Sequence, residues 1–271
     1  MKLKFITGVV AGLGLLLGVA SQAQADAVYA SYNGSQLGFT IRDVNTLNQY
    51  IWHDTGISAS GIAVDSANNV YLTAANHIRK YDLAGGLLVD MTFPISSINY
   101  TNVAVNGNRI FATYNGSQLG FTIRNTSDLN QLKFCQTGVN ASGIAVDASG
   151  NVYTTSGNHI RKYDSNTCNM LVDMAFPDAR INYTSVLAKD GLVYATYTGS
   201  QQGVTKRDAN TLAQLLWFNT GVNASGISLD ASNNIYISAG NHLIKYSNTG
   251  SPLTNMTFPI SNINYTGITI K

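Results

Sequence analysis

The sequence contains no glutamate, so all 14 acidic residues among its 271 are aspartate. Glutamate is a good helix former, whereas tyrosine, threonine, valine and isoleucine favour strands. The chain is rich in these strand formers and in asparagine, glycine and serine, which form turns. We therefore expect an all-β protein with essentially no helix after its first 25 residues.

The chain also lacks clusters of basic charge and long apolar runs. Its formal net charge is +2 and its basic residues are scattered singly, which argues against a nucleic-acid-binding surface. One apolar run, residues 5–20, follows Lys2 and Lys4 and is succeeded by a small-residue motif ending at Ala25. This pattern predicts a signal peptide at residues 1–25, and the run is short for a membrane span. We expect a protein exported to the periplasm or beyond the cell, without membrane insertion.

What the sequence has in abundance is internal repetition. YNGSQLGFTIR occurs unchanged at residues 32–42 and 114–124, and a looser copy, YTGSQQGVTKR, occupies residues 197–207. The spacings are 114 − 32 = 82 and 197 − 114 = 83 residues. Each unit contains two halves, and each half has four short strand-like runs separated by turn signals. Four strands in roughly 41 residues are typical of a β-propeller blade.

Three units of two blades predict a six-bladed β-propeller of four-stranded blades over residues 26–271. The segment after Ala25 matches the second strand of a blade, so the first strand of that blade is missing. The last segment, residues 263–271, matches a first strand with nothing after it. We predict that the C-terminal strand joins the N-terminal blade and closes the ring, which hides the sheet edges of an open array.

Three of the blades carry a family resemblance. The stretch GIAVDASGNVYTTSGNHIRKYD, at residues 143–164, resembles an NHL repeat, and residues 61–82 and 226–246 are similar. The resemblance implies a propeller fold. The sequence departs from the family pattern three residues before the asparagine of each Asn-His pair, where NHL repeats often carry aspartate. These positions are Thr73, Thr155 and Ser238. Because one fold hosts many activities, the resemblance does not specify a function.

Blade topology sorts the repeated segments onto one side of the disc. The turns between second and third strands lie on the same face as the links between blades, and this face collects the GSQ turns, the Asn-His turns and the INY motifs. Turns on the opposite face differ more among the three units. Gene duplication alone would predict similarity on both faces, so the difference suggests a shared role for one face. The candidate ligand-binding residues are Ser35, Gln36, Ser117, Gln118, Ser200, Gln201, His77, His159, His242, Tyr100, Tyr183 and Tyr265.

Structural explanations compete with binding at each of these positions. Asn-Gly is a favoured two-residue hairpin turn, each histidine could hydrogen-bond its own turn, and each tyrosine could be wedged between blades instead of lining the tunnel mouth. Asp65, Asp147 and Asp230 are expected to hydrogen-bond turn backbone. The histidines lie on separate blades, so one metal ion cannot bind all three. We predict neither a metal nor a cofactor.

The two cysteines, Cys135 and Cys168, both belong to the middle unit. An exported protein could oxidise them. Their counterparts in the other units are not cysteines, and our strand placement puts them near opposite faces. We therefore expect two free thiols. Trp52 and Trp217 fall on outer strands, where we expect packing between blades.

The sequence favours an exported, monomeric binding module over an enzyme. Its polar, uncharged repeated face suits neutral ligands, with surface glycans first and peptides second. One alternative is a metal-dependent lyase or lactonase of the propeller type, with its site at the central tunnel. Another is a scaffold for partner proteins. No nucleophile and base stand in a recognisable arrangement, and threefold repetition does not provide the single asymmetric constellation that catalysis usually needs.

Overall fold

The computed structural model describes residues 26–260 and 262–271, and the predicted signal peptide at residues 1–25 lies outside this range. Twenty-four strands are present in the described residues. The first unit contributes β1 (Ala27–Gly34), β2 (Gly38–Asp43), β3 (Gln49–Asp54), β4 (Gly61–Val64), β5 (Val70–Ala74), β6 (His77–Tyr81) and β7 (Leu87–Thr92). The second contributes β8 (Ile98–Asn106), β9 (Arg109–Gly116), β10 (Gly120–Asn125), β11 (Gln131–Gln136), β12 (Gly143–Val146), β13 (Asn151–Ser156), β14 (His159–Asp164) and β15 (Met170–Ala175).

The third unit and the final strand complete the chain. These are β16 (Ile181–Lys189), β17 (Leu192–Gly199), β18 (Gly203–Asp208), β19 (Gln214–Asn219), β20 (Gly226–Leu229), β21 (Ile235–Ala239), β22 (His242–Tyr246), β23 (Pro252–Thr257) and β24 (Ile263–Ile270). No helix long and apolar enough to cross a membrane occurs among the described residues.

The strands form six antiparallel sheets of four, which are the blades of a propeller. Blade 1 has the order β24-β1-β2-β3, and blades 2 to 6 follow as β4–β7, β8–β11, β12–β15, β16–β19 and β20–β23. β24 pairs antiparallel with β1, with Val28 opposite Ile270 and Gly34 opposite Ile263. The predicted six-bladed architecture and its closure by the C-terminal strand are confirmed.

The hydrophobic core lies between neighbouring blades, in two alternating kinds of junction. The tyrosine junctions join blades 6 and 1, 2 and 3, and 4 and 5, and each buries one INY tyrosine, namely Tyr265, Tyr100 or Tyr183. The variable junctions join blades 1 and 2, 3 and 4, and 5 and 6. The two kinds alternate because each unit supplies two different blades.

The tyrosine junctions repeat the same polar contacts in all three units. At the junction of blades 2 and 3, Asp65 Oδ1 accepts hydrogen bonds from the turn N–H groups of Ala67 and Asn69. The Tyr71 hydroxyl lies 2.8 Å from Asp65 Oδ2 and 3.1 Å from Thr126 O. Asp147 and Asp230 accept equivalent turn hydrogen bonds. The prediction that these aspartates bond turn backbone is confirmed.

A buried arginine completes each tyrosine junction. Arg124 donates from Nη1 to Leu129 O at 2.8 Å and from Nη2 to the Tyr100 hydroxyl at 3.2 Å. Leu129 is fully buried with φ of 59°, a left-handed conformation that costs a non-glycine residue about 1–2 kcal/mol. The arginine stabilises this turn by satisfying its carbonyl. Arg42 and Arg207 make the same contacts with their own leucines and tyrosines.

The variable junctions place an outer-strand side chain against a turn of the next blade, and here one prediction was wrong. Cys135 on β11 and Cys168 in the β14–β15 turn form a disulfide, with Cα atoms 5.4 Å apart. The expectation of two free thiols rested on placing the two cysteines near opposite faces of the disc. Sheet twist instead carries the outer strand of one blade over the turn of its neighbour.

The other two variable junctions contain ring and glycine pairs at the same positions. Gly85 lies against His53, and a Cβ atom on Gly85 would come within 2.3 Å of the His53 ring. Gly250 lies against Phe218, and its Cβ atom would meet that ring at 2.5 Å. A large ring therefore requires glycine opposite, whereas the middle unit has two cysteines in their place.

Candidate functional site

The GSQ turns lie between the second and third strands of blades 1, 3 and 5, on the face that also carries the links between blades. We call this the repeated face. Gly34, Gly116 and Gly199 have φ near 120°, and a Cβ atom on each would meet a link carbonyl oxygen at 1.9 Å. Glycine is required here because the link passes directly over the turn.

The serines of these turns are exposed and contact the neighbouring link. Ser117 Oγ lies 2.7 Å from Ser97 Oγ, and Ser200 Oγ donates to Asp178 Oδ2 at 2.7 Å. The Ser35 N–H donates to Asn262 O. Part of the conservation between copies therefore reflects packing of turn against link.

The glutamines of the turns have no such structural task. Gln36 and Gln118 are half-exposed and Gln201 is exposed. Their side chains make no hydrogen bond within the described residues, 26–260 and 262–271. Each amide offers two donors and one acceptor to a ligand.

The Asn-His turns occupy the equivalent position in blades 2, 4 and 6. The asparagine has a structural role, since Asn76 Nδ2 donates to Phe93 O at 3.1 Å and Asn158 Nδ2 to Phe176 O at 2.8 Å. The histidine that follows Asn76, His77, has its Nδ1 atom 2.8 Å from Asp90 Oδ1. Because an ionised carboxylate only accepts, Nδ1 carries the proton and Nε2 is an acceptor in the neutral ring.

The second unit repeats this arrangement and the third modifies it. His159 Nδ1 lies 2.7 Å from Asp173 Oδ1, and Arg161 donates to the other carboxylate oxygen. Burial alone would raise the pKa of Asp173, but the hydrogen bond from His159 and the charge of Arg161 lower it. His242 instead contacts the amide oxygen of Asn255 at 3.0 Å. All three imidazoles are oriented by the strand beside them.

The three INY tyrosines are buried and do not surround the tunnel mouth. Tyr100 and Tyr183 are each 1% exposed and Tyr265 is 2% exposed. Burial raises the pKa of Tyr265 to about 12, an effect that Arg42 partly offsets. Their rings pack between blades and their hydroxyls bond buried arginines, so stacking of a ligand on them is ruled out. The site proposed below leaves them out.

The asparagine of each INY motif is the exposed group, which the sequence interpretation missed. Asn99, Asn182 and Asn264 precede the tyrosines on β8, β16 and β24 and face solvent on the repeated face. Alternation along a strand was the available signal, because a buried tyrosine places its neighbour on the other side.

Charge is distributed unequally between the two faces. Ten of the 14 aspartates lie at the opposite face: Asp26, Asp43, Asp65, Asp82, Asp128, Asp147, Asp164, Asp190, Asp208 and Asp230. Within the described residues, the turns and links of the repeated face carry only three charged side chains, those of Asp54, Asp178 and Arg180. The repeated face is therefore polar and almost uncharged.

The central tunnel is lined by the innermost strands and contains a cavity of about 190 Å³. Its lining is mostly aliphatic, with Asn102, Ser185, Ser228 and Thr269 as the polar side chains. Carboxylates, imidazoles and thiols are absent from this lining, and the part of the chain that the structure describes holds no cluster of three such groups. The donor set does not fit a divalent metal.

The tryptophans behave differently from the expectation of inter-blade packing. Trp52 stacks on Tyr32 of the same blade, with ring centroids 6.4 Å apart. However, Trp52 remains 38% exposed and Trp217 47% exposed. Both therefore present part of their rings at the rim of the disc.

Comparisons with known proteins identify the architecture alone. No protein-family model matches the chain, and no curated protein sequence matches it significantly. A protein of unknown function from Bacteroides caccae is similar in structure, with a TM-score of 0.74 and 11% identity over 91% of this chain and 98% of that one. A chain in the nidogen/laminin complex is similar, with a TM-score of 0.73, 15% identity and the same coverage. At these identities the likeness shows the propeller fold, which is compatible with a binding module or scaffold.

Proposed function

We propose that the protein is an exported, multivalent binding module that uses the repeated face. The observation that carries the proposal is the threefold display of uncharged polar groups, exposed or partly exposed, on a face with almost no charge. In each unit these groups are a GSQ glutamine, an Asn-His imidazole nitrogen and an INY asparagine. The glutamine and the INY asparagine make no side-chain hydrogen bond to the described residues, so their donors and acceptors are available to a ligand.

The chemistry of these groups favours neutral ligands. Amides and imidazoles hydrogen-bond hydroxyl and amide groups without requiring charge on the ligand. Surface glycans come first as ligands because they present many hydroxyls, and extended peptides come second. Three equivalent sites on one rigid disc can raise avidity by about 10²–10⁴ when a target presents several epitopes.

The resemblance of blades 2, 4 and 6 to NHL repeats concerns the fold and does not choose among the candidate functions. A scaffold for partner proteins is the second candidate, favoured by the structural likeness to a chain from a solved two-protein complex. A metal-dependent lyase or lactonase is disfavoured because the tunnel lining provides no metal ligands.

The proposal is tested by binding of the purified protein to a glycan array. The triple variant Q36A/Q118A/Q201A should lose binding by about tenfold or more, because each removed hydrogen bond is worth about 0.5–1.5 kcal/mol and the sites act together. The matched control is a triple variant of exposed polar residues on the opposite face, N45A/S127A/N210A.

The control should bind like the unaltered protein. Equal binding by the glutamine triple variant would reject the repeated face as the glycan site. A protein that binds no glycan, yet retains a partner protein in a way that the glutamine substitutions weaken, would favour the scaffold.

A further inference from the structure

The rim of blade 1 carries two exposed aromatic rings side by side. Tyr50 is 63% exposed and Trp52, two residues further along β3, is 38% exposed. Alternate residues of a strand project to the same side, about 7 Å apart. The Trp52 ring is held by its stacking on Tyr32, with an angle of 9° between the ring planes. The pair is therefore a fixed aromatic surface open to solvent.

A carboxylate holds the first of these rings. The Tyr50 hydroxyl donates to Asp43 Oδ2 at 2.5 Å, while Asp43 Oδ1 accepts from the N–H groups of Asn45 and Thr46. The hydrogen bonds from Tyr50 and Thr46 lower the pKa of Asp43 to about 2. Asp43 is thus an ionised acceptor beside the rings, and Oδ2 has further capacity to accept a hydroxyl.

The equivalent strands of the other two units lack this arrangement. Leu132 and Leu215 occupy the position of Tyr50. Phe134 and Trp217 occupy the position of Trp52. Among the blades as the structure describes them, blade 1 alone combines two exposed rings with an adjacent carboxylate bonded to one of them.

Strand β23 of blade 6, on the other side of the junction of blades 6 and 1, also differs from its equivalents in the other units. Thr254 on β23 lies beside Lys245 in the sheet, and this side of the strand faces the junction of blades 6 and 1, where Met256 packs. The equivalent residues in the other units are Val89 and Val172, which pack into their own junctions. Both walls of the 6/1 seam therefore replace aliphatic groups with aromatic or hydroxyl groups.

We propose that the outer seam between blades 6 and 1 is a second binding site, for a neutral oligosaccharide chain. Tyr50 and Trp52 would stack against the apolar C–H faces of sugar rings, and Asp43 and Thr254 would hydrogen-bond their hydroxyls. Aromatic anchors of protein interfaces sit instead among groups that exclude water. The fully aliphatic facing walls of the other two seams fit that description better.

The test uses the two tryptophans as reporters. W217F leaves Trp52 as the only tryptophan, and Phe134 at the equivalent position shows that the fold accepts phenylalanine there. Trp52 emission is followed while cellohexaose, maltohexaose and chitohexaose are added in turn. At least one should give a saturable change in emission. Adding Y50L, which restores the leucine of the other units, should weaken that binding about tenfold.

The converse variant W52F leaves Trp217 as the only reporter, and its emission should not respond to the sugar. Constant Trp52 emission with all three sugars up to about 10 mM, a concentration that detects even millimolar affinity, would overturn the proposal. Equal affinity in the Y50L variant would overturn it too. So would Trp52-dependent binding of displayed peptides in the absence of any sugar response.

This site is separable from the repeated face. The Q36A/Q118A/Q201A variant should keep the Trp52 response, because Gln36 and its equivalents lie in turns of the repeated face and not on the outer strands. If the glutamine variant loses array binding and keeps the Trp52 response, both sites are supported. If array binding depends on the glutamines but Trp52 gives no response, the proposal for the seam fails. If Trp52 responds but array binding does not depend on the glutamines, the proposal for the repeated face fails.

Discussion

The three tyrosine junctions and the three variable junctions alternate around one ring but tolerate sequence change differently. In every tyrosine junction two polar pairs recur with nearly the same contacts: an aspartate with one tyrosine, and an arginine with a second, INY tyrosine. In the variable junctions the paired residues are His53 and Gly85, Cys135 and Cys168, and Phe218 and Gly250. A buried polar network must keep all its members, because each unpaired group costs about 1–3 kcal/mol. The two side chains paired in a variable junction only have to fill the space between the blades. Their residue types can therefore change, provided that both change together.

The largest expected effect concerns the disulfide of the variable junction. C135A/C168A removes a cross-link between residues 33 apart, which should lower the free energy of unfolding by about 4 kcal/mol. C135F/C168G transplants the pair of the third unit into the second. It should recover part of the loss, because glycine also relieves the left-handed φ of 63° at Cys168. Urea denaturation measures both.

A reducing agent provides the control for this pair. It should shift the urea midpoint of the unaltered protein towards that of C135A/C168A and leave C135F/C168G unchanged. If C135A/C168A unfolded at the same urea concentration as the unaltered protein, the bridge would have no structural role and the three junctions would not be equivalent.

A smaller effect is expected when only one member of a pair changes. G250A places a Cβ atom 2.5 Å from the Phe218 ring, in a backbone with φ of 93°. This should lower stability by about 3 kcal/mol through overpacking and strain. Thermal denaturation checks it. The control is G221A, where φ is 68° and nothing lies within 4 Å of the added Cβ atom.

In G221A the added Cβ atom meets no neighbour, so only backbone strain remains. The free energy of unfolding should therefore fall by about 1–2 kcal/mol. The double variant F218C/G250C should form a second disulfide and exceed G250A in stability. If G250A and G221A lost the same amount of stability, the Phe218 ring would have to move aside. The idea that both members of a packed pair must change together would then be wrong.

The smallest effect is expected at a tyrosine junction and depends on pH. Burial alone would raise the pKa of Asp65, but hydrogen bonds from Asn69, Tyr71 and backbone N–H groups outweigh it and lower the pKa. A carboxylate with a lowered pKa contributes stability above its unfolded value of about 3.9, and this contribution is lost as pH falls below that value. D65N should therefore cost about 2 kcal/mol at neutral pH and progressively less below about pH 4.

Urea midpoints of D65N and the unaltered protein, measured from pH 7 to pH 3, check this prediction. The two curves should converge on the acid side. A constant difference over the whole range would show that Asp65 acts through shape and not through its charge. The equivalent substitution D230N should show the same convergence, because hydrogen bonds from Asn234 and Tyr236, together with the charge of Lys245, outweigh burial and lower the pKa of Asp230.

Several features of the fold followed from local pattern. The period of 82 to 83 residues, the eight strand-like runs per unit and the unmatched terminal strands were enough to predict six blades and their closure. Topology then placed Gln36 and His77 on one face. The tyrosines of the INY motifs were harder, because their burial depends on the arginine of another strand, such as Arg124 beside Tyr100. Those residues are 24 positions apart and no local pattern links them.

The sequence by itself determined the number of blades and the face on which the repeated turns meet, because both depend on hydrogen bonding between strands that are neighbours in the chain. Only the tertiary structure decided which side chains are accessible and whether the two cysteines pair. Twist brings an outer strand over the next blade, and the resulting contact of Cys135 with Cys168 joins residues whose separation along the chain carries no periodic signal.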